Sequence, residues 1–250
     1  MSARHAFITG GGSGIGLATA RALAATGARL TLVGRTVDKV RTAAEEFEDA
    51  NAVACDVTDE ASVNAAFAAA RDRYGAVDIL INNAGQAPSA PFKRTTLEFW
   101  NNVLAVNLTG AFLCTRAALD DMLEAKWGRI VNVGSVCSLK GYAYVSAYVA
   151  SKHGLLGLTR ALAHETAKLG VTVNCVCPGY VDTPIIAESV DRLTSKTSLT
   201  AEEAHASLIQ FNPQGRIITP EEVASAIAYL CTDAAASING AAVPITGGEI

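Results

Sequence analysis

Tyr148 and Lys152 lie four residues apart in the run "YVSAYVASKHG", so on a helix they share one face, one turn from each other. A phenol has an unperturbed pKa of about 10, too high for efficient proton transfer near neutrality, and a neighbouring ammonium favours the phenolate. The pair is therefore either a proton donor and acceptor or a solvated helix face of no consequence. Tyr142 and Tyr144 have no lysine four residues on and read as apolar wall rather than as acids. Ser151 and His153, the neighbours of Lys152, are given no role, His153 being turned about 100° round the helix. Ser135 ends the apolar run "GRIVNVGS", where it can hydrogen-bond an oxygen held near the phenol. Asn107, inside the helical "AVNLTG", needs a buried partner to sit there.

A second group is suited to a nucleotide. Thr9 to Gly16 reads TGGGSGIG, directly after an apolar run and opening an Ala-rich helical pattern. Gly10, Gly14 and Gly16 permit a tight turn and close approach of backbone to a pyrophosphate, and the helix N-terminus beyond them favours an anion. The next strand ends at Gly34-Arg35, where a dinucleotide fold specific for NAD carries a carboxylate for the ribose hydroxyls. A guanidinium pairs instead with a 2′-phosphate, so NADP(H) is favoured and NAD(H) is possible. Asp56 and Val57, at the end of the third strand candidate, suit the adenine amino group and ring. Asp56 is equally suited to cap the helix that follows.

Composition bounds the rest. The chain has 250 residues, 50% hydrophobic and 18% charged, with a net charge of -4. A sizeable core can be buried, and the absence of a basic cluster argues against nucleic acid or an anionic membrane as partner. No uninterrupted apolar run approaches the ~18 residues of a membrane span, and "MSARHAFITG" lacks a signal-peptide build, so a cytoplasmic location is expected. Cys175 and Cys177 flank Val176 without a second Cys/His pair, so the six cysteines read as reduced core thiols and no metal is expected.

Positioning these groups falls to alternating strands and helices. "HAFITG", "ARLTLVG", "NAVACDV", "VDILINN", "GRIVNVGS", "VTVNCVCPG" and "AAVPITGG" read as strands, separated by Ala-rich amphipathic stretches. This rhythm predicts an α/β, Rossmann-type doubly wound sheet of about seven parallel strands with helices on both faces. Residues 1–250 read as one domain. The stretch at about 184–216, with two helix-like pieces and no strand, reads as a substrate lid or as a plain surface insertion.

On these motifs the chain resembles the short-chain dehydrogenase/reductase family over its whole length. The resemblance implies that Asn107, Ser135, Tyr148 and Lys152 form a catalytic tetrad, with Asn107 holding a water that links Lys152 to solvent. It implies cofactor contacts from Gly10, Ser13, Gly14, Ile15, Gly16, Arg35, Asp56 and Val57. Further contacts would come from Asn83, Ala84 and Gly85 of "NNAG" and from Tyr148 and Lys152, the lysine reaching the ribose hydroxyls. Pro178, Gly179, Val181 and Thr183 of "PGYVDT" would hold the nicotinamide carboxamide. Gln86, Val136, Cys137, Tyr142 and Tyr148 are expected on the substrate side, with Arg192, Lys196 and Arg216 as the lid cations. The implied activity interconverts a ketone and a secondary alcohol. Alternatives are a 3-oxoacyl-thioester reductase or 3-hydroxyacyl-CoA dehydrogenase and, from another class, a non-catalytic NADP(H)-binding regulator. The regulator would keep the glycine turn and lose the proton-transfer residues; a methyltransferase would have no need of Tyr148 and Lys152. A homotetramer, or a homodimer, is expected through the helices around 97–126 and 149–169.

Overall fold

A computed structural model describes residues 3–197 and 199–250, without the side chains of 188, 189, 192, 193 and 196. The β-branched and apolar runs form β1 His5–Thr9, β2 Arg29–Gly34, β3 Ala50–Ala54, β4 Ile79–Asn82, β5 Gly128–Val133, β6 Val171–Pro178 and β7 Ala242–Ile245. They pair in parallel in the order β3-β2-β1-β4-β5-β6-β7, the doubly wound arrangement that the alternating runs predict. The helices are α1 Gly14–Ala24, α2 Val37–Ala44, α3 Glu60–Tyr74, α4 Leu97–Leu104, α5 Gly110–Ala125, α6 Ser146–Thr166, α7 Pro184–Lys196, α8 Ala201–Ile209 and α9 Pro220–Leu230.

Alternate residues of each strand serve opposite faces. Ala6 and Ile8 pack with Leu23 of α1, Val40 of α2 and Ile227 of α9. Phe7, between them, packs with Phe67 of α3, Cys114 of α5 and Leu162 of α6. Its ring stacks on Phe67 with centroids 4.0 Å apart. Both faces being covered, the strands need no polar alternation, which is why they read as nearly continuous apolar runs.

Four polar side chains cross this apolar interior. Asn82 of β4 donates to Thr115 Oγ1 of α5 at 3.0 Å and to Asn132 Oδ1 of β5 at 2.9 Å. Asn132 in turn donates to Thr159 Oγ1 of α6 at 2.8 Å. Asn82 and Asn132 are register partners, so the ladder runs straight across the β4–β5 seam.

The chain order of the strands reverses between β1 and β4, and the crevice at their C-terminal ends receives the glycine turn. At the opposite end of the sheet the guanidinium carbons of Arg4 and Arg129 lie over the Trp127 ring, 3.7 Å and 4.4 Å from its centroid. Its indole N–H donates to Asp233 at 2.8 Å. The run Leu97–Ala125 is, by length and composition alone, long and apolar enough to cross a membrane, although it contains no uninterrupted apolar stretch of that length. Its buried residues Leu113, Cys114, Ala118 and Met122 face the sheet.

Candidate active site

Glycine is required in the first turn for two separate reasons. Gly10 and Gly14 have φ of +64° and +53°, a region that other residues enter at a cost. At Gly16 a Cβ would lie 2.3 Å from the Gly10 carbonyl oxygen, which no side chain tolerates. Asn83 Nδ2 donates to the carbonyls of Thr9 and Gly10 at 3.0 and 3.2 Å, while Thr9 Oγ1 accepts from the Asn83 and Ala84 N–H groups. The "NNAG" segment is thereby stapled to the glycine turn. Ser13 stands at the N-terminus of α1, its hydroxyl making no cap bond, and Ile15 lines the main cleft.

Arg35 follows the last residue of β2, exposed and without a hydrogen bond or ion pair to the described residues. Asp56 does not cap α3. That cap is Asp59, which accepts from Ala61 N and Ser62 N. Asp56 Oδ1 closes its own turn by accepting from the N–H and hydroxyl of Thr58 at 2.9 and 2.7 Å, which holds its carboxyl below the usual range. Val57 is buried under α5, where a Cβ on Gly110 would come within 2.7 Å of it.

The main cleft is a cavity of about 980 Å³ at the C-terminal ends of β4, β5 and β6. Tyr148 and Lys152 stand one turn apart on α6, with Nζ 5.6 Å from the phenol ring centroid. Lys152 Nζ donates to the Val133 carbonyl at 2.7 Å. Ser135 caps the short turn Val136–Ser138 that leaves β5, accepting from Cys137 N at 3.1 Å, and its residue lines the same cavity. Asn107 sits in a π-helical turn, Ala105–Thr109, between α4 and α5 rather than in regular helix. Its Oδ1 accepts from Gln86 N at 2.9 Å, and its Nδ2 donates to the Gln86 carbonyl and to Ser151 Oγ. Both amide protons are thus engaged, and one lone pair of Oδ1 is left for a further donor. A Cβ on Gly85 would lie 3.2 Å from Asn107 Oδ1 and 3.7 Å from Lys152 Nζ, so this glycine separates the amide from the ammonium.

Burial governs the titration of the pair. It lowers Lys152 to about 8 and raises the Tyr148 phenol, against the downward pull of the Ser135 hydroxyl. Cys137 and Tyr180 add to the upward push of burial on the phenol. Near Lys152, Cys175 and Cys177 project from the same face of β6 with sulfurs 3.9 Å apart. The contact with Cys177 and burial hold the Cys175 thiol well above its ordinary range. All six cysteines are buried and unbridged, and the described residues contain no cluster of metal-ligand type.

The other expected contacts divide. Asn83, Gly85, Gln86, Val136, Cys137, Tyr142, Pro178, Gly179, Val181 and Thr183 line the main cleft. Ser13 and Gly14 line a smaller cavity of about 480 Å³ that shares Thr183 with it. Of the three lid cations, one can be followed. Arg216 is committed to a two-point ion pair with Glu222 at 2.7 and 2.6 Å, and the side chains of Arg192 and Lys196 fall outside the described residues. The hydroxyl of Tyr142 is not free wall either, since it donates to Glu249. Tyr144 reaches the cleft from a backbone at φ +68°, its carbonyl accepting from Ala90 N at 2.8 Å.

Several residues of the site carry no signal in the sequence. Ser151, fully buried, links Asn107 to the Tyr148 carbonyl, to which it donates at 2.7 Å. Tyr180, between two expected cofactor contacts in "PGYVDT", lines the cleft, as do Phe211 from the end of the lid and Arg94 from "PFKR". Arg94 and Lys152 are the charged side chains among the described lining residues, and no carboxylate joins them.

Known proteins share this fold. The family model for short chain dehydrogenase matches residues 4–194. A cis-4-hydroxycyclohexanecarboxylate dehydrogenase from Sinomonas cyclohexanicum is 41% identical, covering 98% of this chain and 96% of its own length. A 3-oxoacyl-(acyl-carrier-protein) reductase from Aquifex aeolicus is 35% identical over 99% and 98%. The crystal structure of a variant of actinorhodin polyketide ketoreductase with NADPH superposes with a TM-score of 0.96 at 38% identity, covering 99% of this chain and 97% of that one. The chain belongs to the short-chain dehydrogenase family.

Proposed function

We propose that the chain is an NADP(H)-dependent oxidoreductase that interconverts a ketone and a secondary alcohol, with Tyr148 as the proton donor and acceptor. The observation that carries this is the half-buried Tyr148 lining an apolar cavity with Ser135 and Lys152, next to a glycine turn built for a pyrophosphate. The cradle fits such a cofactor: it leaves no room for side chains at Gly10 and Gly16, and α1 begins at Gly14. The bound nicotinamide supplies or accepts the hydride at the carbinol carbon. Ser135 holds the substrate oxygen near the phenol, and Tyr148 gives that oxygen its proton during reduction. Lys152 fixes the cofactor ribose and, through its charge, steadies the phenolate that Tyr148 becomes when it gives up its proton. Asn107 braces the 85–86 segment and offers the free lone pair of Oδ1 to a water on the way to solvent. Arg35, exposed and without an ion pair among the described residues, receives the 2′-phosphate.

A single unit then carries both cofactor and substrate, closed by the segment at 184–216, whose base is clasped by the bridge between Val181 and Ile218. We place the enzyme in the cytoplasm as a homotetramer using the outer faces of α4, α5 and α6, where Phe112 is exposed. A second reading, reduction of a 3-oxoacyl thioester, is favoured by Arg94. This guanidinium, in a cleft whose described lining residues include no carboxylate, suits the anionic end of a carrier.

The test is loss of NADPH absorbance over a panel of ketones and 3-oxoacyl thioesters with wild type and Tyr148→Phe. Removing the phenol is expected to lower turnover by about 10²–10⁴-fold with cofactor affinity unchanged. Full activity in that variant, or cofactor binding without turnover on any substrate, refutes the reading, the latter in favour of a regulator.

A further inference from the structure

The C-terminal tail returns to the cleft. After β7, Gly247 and Gly248 take φ of +64° and +99° and turn the chain back beneath the end of the lid. There Gly247 is pressed so closely against Asn212 that a Cβ would lie 1.9 Å from Oδ1, and Gly248 lies against Pro213. The next residue, Glu249, is driven inward, its side chain only 4% exposed. A carboxylate so buried needs partners, and it has two: the Tyr142 hydroxyl and Lys140 Nζ, the latter at 2.9 Å. Both come from the segment that follows Ser135. Tyr142 in turn meets Phe211 edge-on, centroids 6.0 Å apart at 88°, and Phe211 stacks at 6.1 Å on Tyr180. The three rings line the main cleft, one from the wall, one from the lid and one from the loop after β6.

We infer that Glu249 is a positioning residue for substrate choice: its carboxylate anchors Tyr142, which seats the ring wall Tyr142–Phe211–Tyr180 so that the cleft prefers a flat cyclic or aromatic ketone to a linear one. The inference rests on the ketone reading above. Burial and Glu249 together keep the Tyr142 phenol protonated, so the anchor persists as a hydroxyl donating to a carboxylate. Three aromatic surfaces give a planar ring stacking and edge contacts that a flexible chain cannot match without losing rotamer freedom. Without the carboxylate the Tyr142 hydroxyl loses its acceptor, Lys140 loses its ion pair, and Phe211 loses a fixed partner.

Glu249→Ala and Glu249→Gln in the full chain, compared on 1-indanone and 2-nonanone, test this. The alanine variant is expected to raise KM for 1-indanone about 5- to 10-fold, the scale of a single aromatic pairing. KM for 2-nonanone, kcat for both and cofactor affinity stay near wild type. The glutamine variant, which still accepts from Tyr142, recovers most of the loss. Equal losses on the two ketones, or an unchanged KM for 1-indanone, overturn the inference. Calorimetric titration of each ketone into the protein saturated with NADP⁺ reads the same preference without hydride transfer. If wild type binds 1-indanone and the alanine variant binds it weakly, while neither turns it over, the wall assignment stands and the activity reading fails. If wild type binds 2-nonanone as tightly as 1-indanone, the inference falls whatever the activity.

Discussion

Replacing Lys152 with methionine is expected to stabilise the cofactor-free protein while abolishing turnover. The ammonium is buried at 4% exposure, and its hydrogen bond among the described residues is to the Val133 carbonyl. Burial takes its pKa from 10.5 to about 8. At about 1.4 kcal/mol per pH unit, the folded chain carries a penalty of roughly 3 kcal/mol at neutral pH for keeping that proton. Methionine fills the stem's place and loses one charged hydrogen bond, worth about 1.5–3 kcal/mol. The variant should therefore gain about 1 kcal/mol near pH 7. The sign with pH is opposite to that of a salt-bridged lysine. Between about pH 8 and 10.5 the unfolded chain still holds a proton that the fold has released, so wild type gains stability there. The variant's advantage should fall by about 2 kcal/mol by roughly pH 9.5 and reverse. Urea unfolding of both proteins near pH 7 and pH 9.5 reads this directly. A variant less stable at both values, or a difference that does not move with pH, refutes the account of Lys152 as a buried group held against its own solvation.

Arg35→Asp is expected to shift the ratio of kcat/KM for NADPH over NADH toward NADH by at least about tenfold, since a carboxylate repels the 2′-phosphate and attracts ribose hydroxyls. An unchanged ratio removes Arg35 from cofactor choice. His5 is buried, with Nδ1 at 3.0 Å from the Gly75 carbonyl and Nε2 at 2.9 Å from Thr31 Oγ1, and burial lowers its pKa. The unfolded chain takes up this proton first, at about 6.5, so stability should decline as pH falls through that value and then level off below the folded pKa. His5→Gln should lose that slope, as measured by urea midpoints across the range.

The architecture is legible in the sequence because two-face burial leaves a strong local mark: "HAFITG" and "VTVNCVCPG" are apolar nearly throughout, which a half-exposed strand would not be. The glycine turn is legible for a similar reason, since backbone approach at Gly16 tolerates one residue type. What escapes depends on partners distant in sequence. Glu249 lies 107 residues from Tyr142, and no periodicity joins them. Ser151 reads as a mere neighbour of Lys152, although its rotation about α6 aims it at Asn107, 44 residues earlier. Arg216 reads as a free lid cation because its partner, Glu222, serves on the face of it only as the third residue of a helix cap. The phenol's pKa is illegible because charge proximity can be read from an i,i+4 spacing, whereas the depth of burial cannot.

The Thr115–Asn82–Asn132–Thr159 ladder also acts on states other than the native one. Slipping β5 by one residue against β4 would turn Asn132 to the other side of the sheet, strand its amide and cost Asn82 one of its two hydrogen bonds, at about 1–3 kcal/mol for an orphaned group. Apolar strands such as "DILIN" and "RIVNV" would otherwise accept several alignments nearly equally well. The amides therefore work as an error check during folding, and they do so next to Asn83, whose hold on the glycine turn is correct only when β4 is correctly aligned. A misaligned sheet would thus lose its nucleotide cradle as well, and the enzyme would have few folded but inactive forms.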